Sequence, residues 1–171
     1  MRITLQRGVT LIEMMMVLVI TAMLILVAMP SFSAWLANAQ IRNGAEAVLN
    51  GMQFARNQAI QFNTPVQFEL TGNSSWTVTR VSDDEELQSR AEEGSATSET
   101  TVQPDGATQL TFNGMGWIVA NDDGSDSITQ IDVEYAVDVD GVRPLRVTIT
   151  PGGSVKMCDP AVAAPDPRVC P

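Results

Sequence analysis

Hydrophobic positions along the chain change rhythm twice. From Val9 to Met29 they are nearly continuous: 21 residues hold one charged side chain, Glu13. An α-helix rises about 1.5 Å per residue and a bilayer's hydrocarbon core is about 30 Å thick, so residues 9–29 predict a membrane-length helix. From Ser31 to Phe62 the apolar residues step by threes and fours, at Phe32, Trp35, Leu36, Ala39, Ala45, Val48, Leu49, Met52, Ala55, Ala59 and Ile60. That spacing predicts an amphipathic helix over 30–62 with one buried stripe. Arg42, Asn43, Glu46, Asn50, Gln53 and Asn57 fall mostly on the opposite face. Pro30 lacks a backbone donor and predicts a kink near the membrane exit. Started at Val9, the helix would run roughly 50 residues, or about 80 Å. Gly44 and Gly51 weaken it locally by up to about 1 kcal/mol each relative to Ala.

Beyond Phe62 the period falls to two. Pro65–Leu70 and Trp76–Val81 alternate apolar and polar residues around the turn sequence TGNSS. Gln109–Phe112 and Gly116–Ala120 flank Asn113-Gly114; Ile128–Val139 and Val142–Thr150 flank Asp140-Gly141. Both dipeptides are hairpin signals. Ser154–Met157 follows the breaker PGG as a short last strand. The expectation is an α+β protein, with six or seven antiparallel strands over 63–157 packed on the amphipathic half of one long helix. Ser82–Pro104 interrupts them with seven acids and one base. So polar a segment predicts a disordered, solvated loop, or alternatively an acidic surface for a partner subunit or a cation.

Composition removes several function classes. The 171 residues carry 10 basic and 20 acidic side chains, a net charge of −10, and no histidine. An acidic balance disfavours nonspecific nucleic-acid binding, which depends on Lys and Arg at phosphates. Lack of histidine removes the commonest general base and transition-metal ligand. Two cysteines, Cys158 and Cys170, suit one disulfide and an oxidising compartment. Two thiols without histidine supply too few ligands for zinc. Asp122, Asp123 and Asp126 in NDDGSD offer hard oxygen ligands for calcium, but the spacing is not that of an EF-hand and a polar hairpin turn is favoured. The pairs Asp83-Asp84 and Glu92-Glu93 lie in the acidic segment with nothing to hold them in register. No nucleophile–base pair or phosphate loop is present, so the chain reads as a non-enzyme without a cofactor.

Glu13 has to be explained. A carboxylate inside a membrane helix costs about 2.5 kcal/mol or more. A cleaved secretory signal would have a shorter apolar core and an A-x-A-like site, neither present here. A simple anchor explains the length and leaves the glutamate unexplained. In the third reading, Arg2, Arg7 and Gly8 form a basic leader over 1–8. A cut after Gly8 frees an amine on Val9, four residues and one helical turn before Glu13. Paired within a chain or between neighbours, the two charges cancel much of each other's cost.

With that pattern, RGVTLIE followed by an apolar helix and Pro30 resembles the class III signal of type IV pilins and pseudopilins. The resemblance implies cleavage between Gly8 and Val9 by prepilin peptidase and N-methylation of Val9, which stands where the family usually has Phe. It also implies that Glu13 pairs with the N-terminus of an adjacent subunit during filament assembly. The tail CDPAVAAPDPRVCP, residues 158–171, holds four prolines between its cysteines and its end, so it is neither helix nor central strand. A bridge there would contribute on the order of 3 kcal/mol, mainly by restricting the unfolded chain. The last strand with CDP and DPRVC resembles the C-terminus of the FimT/FimU group of minor pilins, whose domain is shared with the H-type pseudopilin of type II secretion. The secretion pseudopilins usually lack this loop.

Some members of that group capture DNA through arginines before and within the tail. Here GGSVKMC places Ser154 and Lys156 there, and only Lys156 and Arg168 remain, beside Asp159 and Asp166. Little net field is left for phosphate. The expectation is therefore a minor pilin stored in the inner membrane by a single pass, with its β domain in the periplasm. Its partners would be major and minor pilin subunits, prepilin peptidase and the assembly platform. The H-type secretion pseudopilin is the alternative and a DNA-capturing subunit the third reading.

Overall fold

The computed structural model describes residues 8–91, 98–137 and 139–171. Helix α1, Leu11–Phe62, is 52 residues long, with Thr10 as N-cap and Asn63 as a left-handed C-cap. Its limbs Leu11–Leu26 and Ser31–Phe62 meet at 46°, and Pro30 lies in the bend. A proline there has no N–H to offer the preceding turn. Among the described residues no single helix is long and apolar enough to cross a membrane, but the two limbs together pass that test of length and composition.

The strands are β1 Val66–Leu70, β2 Trp76–Arg80, β3 Glu85–Arg90, β4 Ser98–Gln103, β5 Gln109–Phe112, β6 Ile118–Val119, β7 Gln130–Tyr135, β8 Leu145–Ile149 and β9 Val155–Cys158. They form two sheets, ordered β3-β2-β1-β5-β6 and β4-β7-β8-β9, with antiparallel neighbours throughout. Both pack on the second limb of α1, giving the expected α+β fold with nine strands among the described residues in place of six or seven.

Small residues line the buried stripe of α1: Ala45, Val48, Ala55 and Ala59, with the larger Ile41 and Met52. They face Val66 and Phe68 of β1, Trp76 and Val78 of β2, Leu110 and Phe112 of β5, and Val133 and Val147 of the second sheet. Gly51 is where the approach is closest. A Cβ there would lie 2.6 Å from the Trp76 indole and 2.8 Å from the Phe68 ring. The sequence reading had counted Gly51 as a weak point of the helix; it is the gap that admits the indole.

The stripe begins later than the spacing predicts. Phe32, Trp35 and Leu36 are exposed, and burial starts at Ala37 and Ile41. Phe32 and Trp35 pack on each other, ring centroids 5.9 Å apart. The turn before Asn38 lies at the margin of the head, where Trp35 lines an open pocket with Arg143, Leu145 and Asp159. Asn38 fastens that end: its Nδ2 donates to the Gly141 carbonyl (3.0 Å) and its Oδ1 accepts from the Arg143 N–H (3.0 Å).

Three further expectations need correction. The segment 82–104, anticipated as disordered, contains β3 and β4. Backbone pairing with β2 and with β7 holds them, in place of the burial they lack. Glu92-Glu93 and the leader before Gly8 lie outside the described residues. The hairpin at Asp140-Gly141 is wider than two residues, since Val133 pairs with Leu145 and the connection runs 136–144. At Asn113-Gly114, Phe112 pairs with Ile118, and Gly116 takes the positive φ (77°). Gly114 instead lies tightly against Asn63, at the end of α1.

Candidate functional site

The residues expected to act in processing and assembly sit at the start of α1. Gly8 and Val9 precede the helix and are exposed, Val9 by 67%. Thr10 follows as N-cap, and its Oγ1 accepts from the Glu13 N–H (3.3 Å). Reciprocally, Glu13 Oε2 accepts from the Thr10 N–H at 3.5 Å. This capping box satisfies two orphan donors of the first turn and places a carboxylate at the positive end of the helix dipole. Glu13 is therefore held beside residues 9–10 by its own chain. Sequence reasoning missed Thr10, although Thr-x-x-Glu ahead of an apolar run is the signature of such a box.

Among the described side chains from Leu11 to Leu36, the large apolar ones stand outside the fold. Leu11, Leu18, Leu24, Leu26, Phe32 and Trp35 are all exposed. A patch on that scale marks a surface completed by something else, lipid or protein.

At the other terminus Cys158 and Cys170 form a disulfide, with Cα atoms 5.0 Å apart. The loop folds back on the end of β9. The Asp159 N–H donates to the Arg168 carbonyl (2.9 Å), and Asp159 bridges Val169 in parallel. Arg168 forks onto Asp166 through Nε (3.0 Å) and Nη2 (2.7 Å). These bonds hold the Asp166 carboxyl at about 2, below its usual 3.8. Arg143 Nη1 stands 3.8 Å from the buried Asp159 carboxylate. Arg146 grips Asp132 at 2.6 and 3.0 Å, which raises its own already high pKa. The guanidiniums nearest the tail thus face carboxylates, and Lys156 lies exposed on β9.

The NDDGSD segment is a turn. Asp123 Oδ1 accepts from the Ser125 N–H (2.9 Å) and Oδ2 accepts from Gln109. The bond from the Ser125 backbone is the main cause of that carboxyl's lowered pKa. Asn121 accepts from Thr111 (3.0 Å) and donates to the Ser125 carbonyl (3.1 Å). Among the described residues, no three acidic, cysteine or histidine side chains are gathered as metal ligands.

A long, bent, N-terminally exposed helix with an antiparallel head on its second limb is the pilin architecture. Crystal structures of the type IV minor pilin FimU from Pseudomonas aeruginosa (strain PAO1) share it. In space group P21 the TM-score is 0.56 at 13% identity, over 70% of this chain and 88% of that one. In space group P65 it is 0.50 at 13% identity, over 68% and 90%. Residues 44–153, more than half of the chain, match the family described as Type II transport protein GspH, and the chain belongs to that family. Residues 3–29 match the prokaryotic N-terminal methylation motif, a span that takes in Gly8, Val9 and Glu13. No curated protein matches the chain in sequence.

Proposed function

We propose that the chain is a minor pilin, a structural subunit that helps initiate or joins a type IV pilus. The observation that carries this reading is the apolar limb of α1, exposed beside a head that is complete without it. Prepilin peptidase would cut between Gly8 and Val9, and Val9 would be N-methylated. The limb stores the subunit in the inner membrane as a single pass, bent at Pro30, with the head in the periplasm. Extraction by the assembly platform exchanges lipid for neighbouring pilin helices. Glu13 then sets the stagger: unpaired it is costly, and docking against a neighbour's Val9 amine favours one axial position. The role is structural, not catalytic.

The family's description favours a second reading, the H-type pseudopilin of type II secretion. Such a subunit behaves alike in the membrane and serves protein export instead. The disulfide-closed tail supports the pilus side. DNA capture draws little support, since Arg168 is held by Asp166 and Arg143 faces Asp159. The deciding experiment deletes the gene and scores surface piliation and twitching motility beside exoprotein secretion. Lost pili with normal secretion is the expected result; lost secretion with normal pili overturns it in favour of the second reading.

A further inference from the structure

Just beyond the bend in α1 the head closes down on its helix. A Cβ added to Gly141, in the β7–β8 connection, would touch Ala34 at 4.0 Å, four residues past Pro30. Asn38 clasps the same connection at Gly141 and Arg143. Between connection and helix runs an open groove of about 340 Å³, whose lining includes Trp35, Ala39, Arg42, Arg143, Leu145 and Asp159. Trp35 is 64% exposed and carries Phe32 packed against it. Val137, in the same connection, is exposed as well. Aromatic side chains standing out beside arginines, about one turn past a long apolar limb, are the pattern of a membrane–water interface.

The spacing fits that position. With the first limb along the bilayer normal, a rise of about 1.5 Å per residue and the 46° bend put Trp35 about 5 Å and Asn38 about 8 Å above Pro30. The headgroup layer on each side of the hydrocarbon is about 5–8 Å deep. Arg143 is fixed at its backbone and loose at its tip. Its N–H donates to Asn38 Oδ1 (3.0 Å), whereas Nη1 stands 3.8 Å from the Asp159 carboxylate, beyond hydrogen-bond length. Asp159 is engaged by its own loop, its Oδ1 accepting from the Ala161 N–H (2.9 Å). The Arg143 side chain is 61% exposed, and a guanidinium so placed has donors to offer a phosphate. Glu46, Asp140 and Asp159 keep the patch from making a broad positive field, so it would not draw a polyanion out of solution. A lipid phosphate needs no such steering, because the anchored limb holds the groove beside it at high effective concentration.

We infer that this margin of the head rests on the bilayer while the subunit is stored there, with Arg143 holding the phosphate of a phospholipid headgroup and Phe32 and Trp35 set among the glycerol and upper acyl carbons. Continuity with the apolar limb and the pairing of guanidinium with phosphate both point to lipid as the occupant. The contact gives the stored head one tilt against the membrane instead of free swivel about Pro30, and extraction of the subunit has to break it. The inference rests on the anchoring of the first limb proposed above and is independent of the choice between pilus and secretion.

The test uses the full chain, with its arginine guanidinium carbons isotopically labelled, in vesicles of phosphatidylethanolamine and phosphatidylglycerol. Flotation of the vesicles reads anchoring, and solid-state NMR reads the dephasing of the arginine Cζ signal by lipid phosphorus. Arg143→Gln should remove a resolved share of that dephasing. Arg2 and Arg7 of the leader are present in both chains and cancel in the difference. Arg56→Lys should remove none, since Arg56 lies about 27 Å further along α1 than Asn38. The melting temperature of Arg143→Gln should equal that of the unaltered chain, because the Asn38 bond goes to the Arg143 backbone. A second sample, cut after Gly8, should keep the phosphorus contact with every remaining arginine intact. Equal dephasing with and without Arg143, or a contact that vanishes with the leader, overturns the lipid contact and leaves the anchoring standing. A chain that does not float with the vesicles overturns the anchoring, and the contact with it.

Discussion

The two limbs of α1 use apolar residues in opposite ways. The first is built from Met, Leu, Ile and Val, large side chains that touch nothing in the head and stand exposed. The second is built around Ala37, Ala45, Ala47, Ala55 and Ala59, small side chains buried to a few per cent or less. Small residues let two sheets come close to the helix backbone, and Gly51 lets an indole rest almost on it. The difference separates two kinds of hydrophobicity along one continuous helix. One is consumed in folding the head. The other is left exposed, and on the function proposed above lipid and then other helices would cover it. Both hydropathy and side-chain size mark the boundary between them: a nearly unbroken run of large apolar residues gives way to small ones spaced along one face of a polar helix.

The sharpest way to break this comparison is to remove the first limb. Deleting residues 1–30 takes nothing from the core, whose first member is Ile41. The shortened chain should move wholly from the membrane fraction to the soluble fraction with its head folded. A head that aggregates or loses its cooperative melt would show that the limbs are not independent. Next in size is the division of labour at the helix start. Glu13→Ala should abolish incorporation into filaments while the protein stays membrane-bound. Thr10→Val, which removes only the capping bond at a cost of about 1 kcal/mol, should leave assembly largely intact. Filament fractionation measures both, and equal losses would mean that capping, not intersubunit pairing, is the function of Glu13.

A smaller effect tests the second limb. Gly51→Ala gains up to about 1 kcal/mol of helix propensity but drives a methyl group into the Trp76 and Phe68 rings. Such overpacking costs about 1–3 kcal/mol. Urea unfolding of the head should show net destabilisation, and a stabilised variant would mean that the rings yield easily. The smallest effect lies in the tail. Asp166 has a depressed folded-state pKa, so its contribution is present above the usual 3.8 and is lost as pH falls toward about 2. A carboxyl NMR titration should find its midpoint near 2, and Arg168→Gln should move it back toward 3.8.

The helix, its bend, the polar face and most of the strands were legible because each carries a local period or a breaker. So was the cysteine pair. β3 was not legible, because Glu85–Arg90 is an edge strand whose side chains are almost all exposed; backbone pairing to β2 defines it, and that pairing leaves no mark in hydropathy. β4 was hidden for a related reason, with Ser98 at its buried position where an apolar residue would have signalled a strand. The division into two sheets depends on contacts far apart in sequence. The true turn at Gly116 was masked by a stronger dipeptide signal two residues earlier. At the start of α1, Glu13 was conspicuous by its cost, whereas Thr10 was overlooked because it looked like one more small residue before the apolar run. Arg143 read as an ordinary surface residue until the fold put it in one groove with Trp35.

Asn38 deserves a last consequence. Its side-chain amide donates to one backbone group of the β7–β8 connection and accepts from another, as a peptide unit of a neighbouring strand would. The helix thereby pins the β7–β8 connection just above the point where the head begins. In the filament proposed above, tension carried along α1 would meet the head at this clasp. Two bonds there would share that strain in parallel, so the head is less readily peeled from its helix one contact at a time.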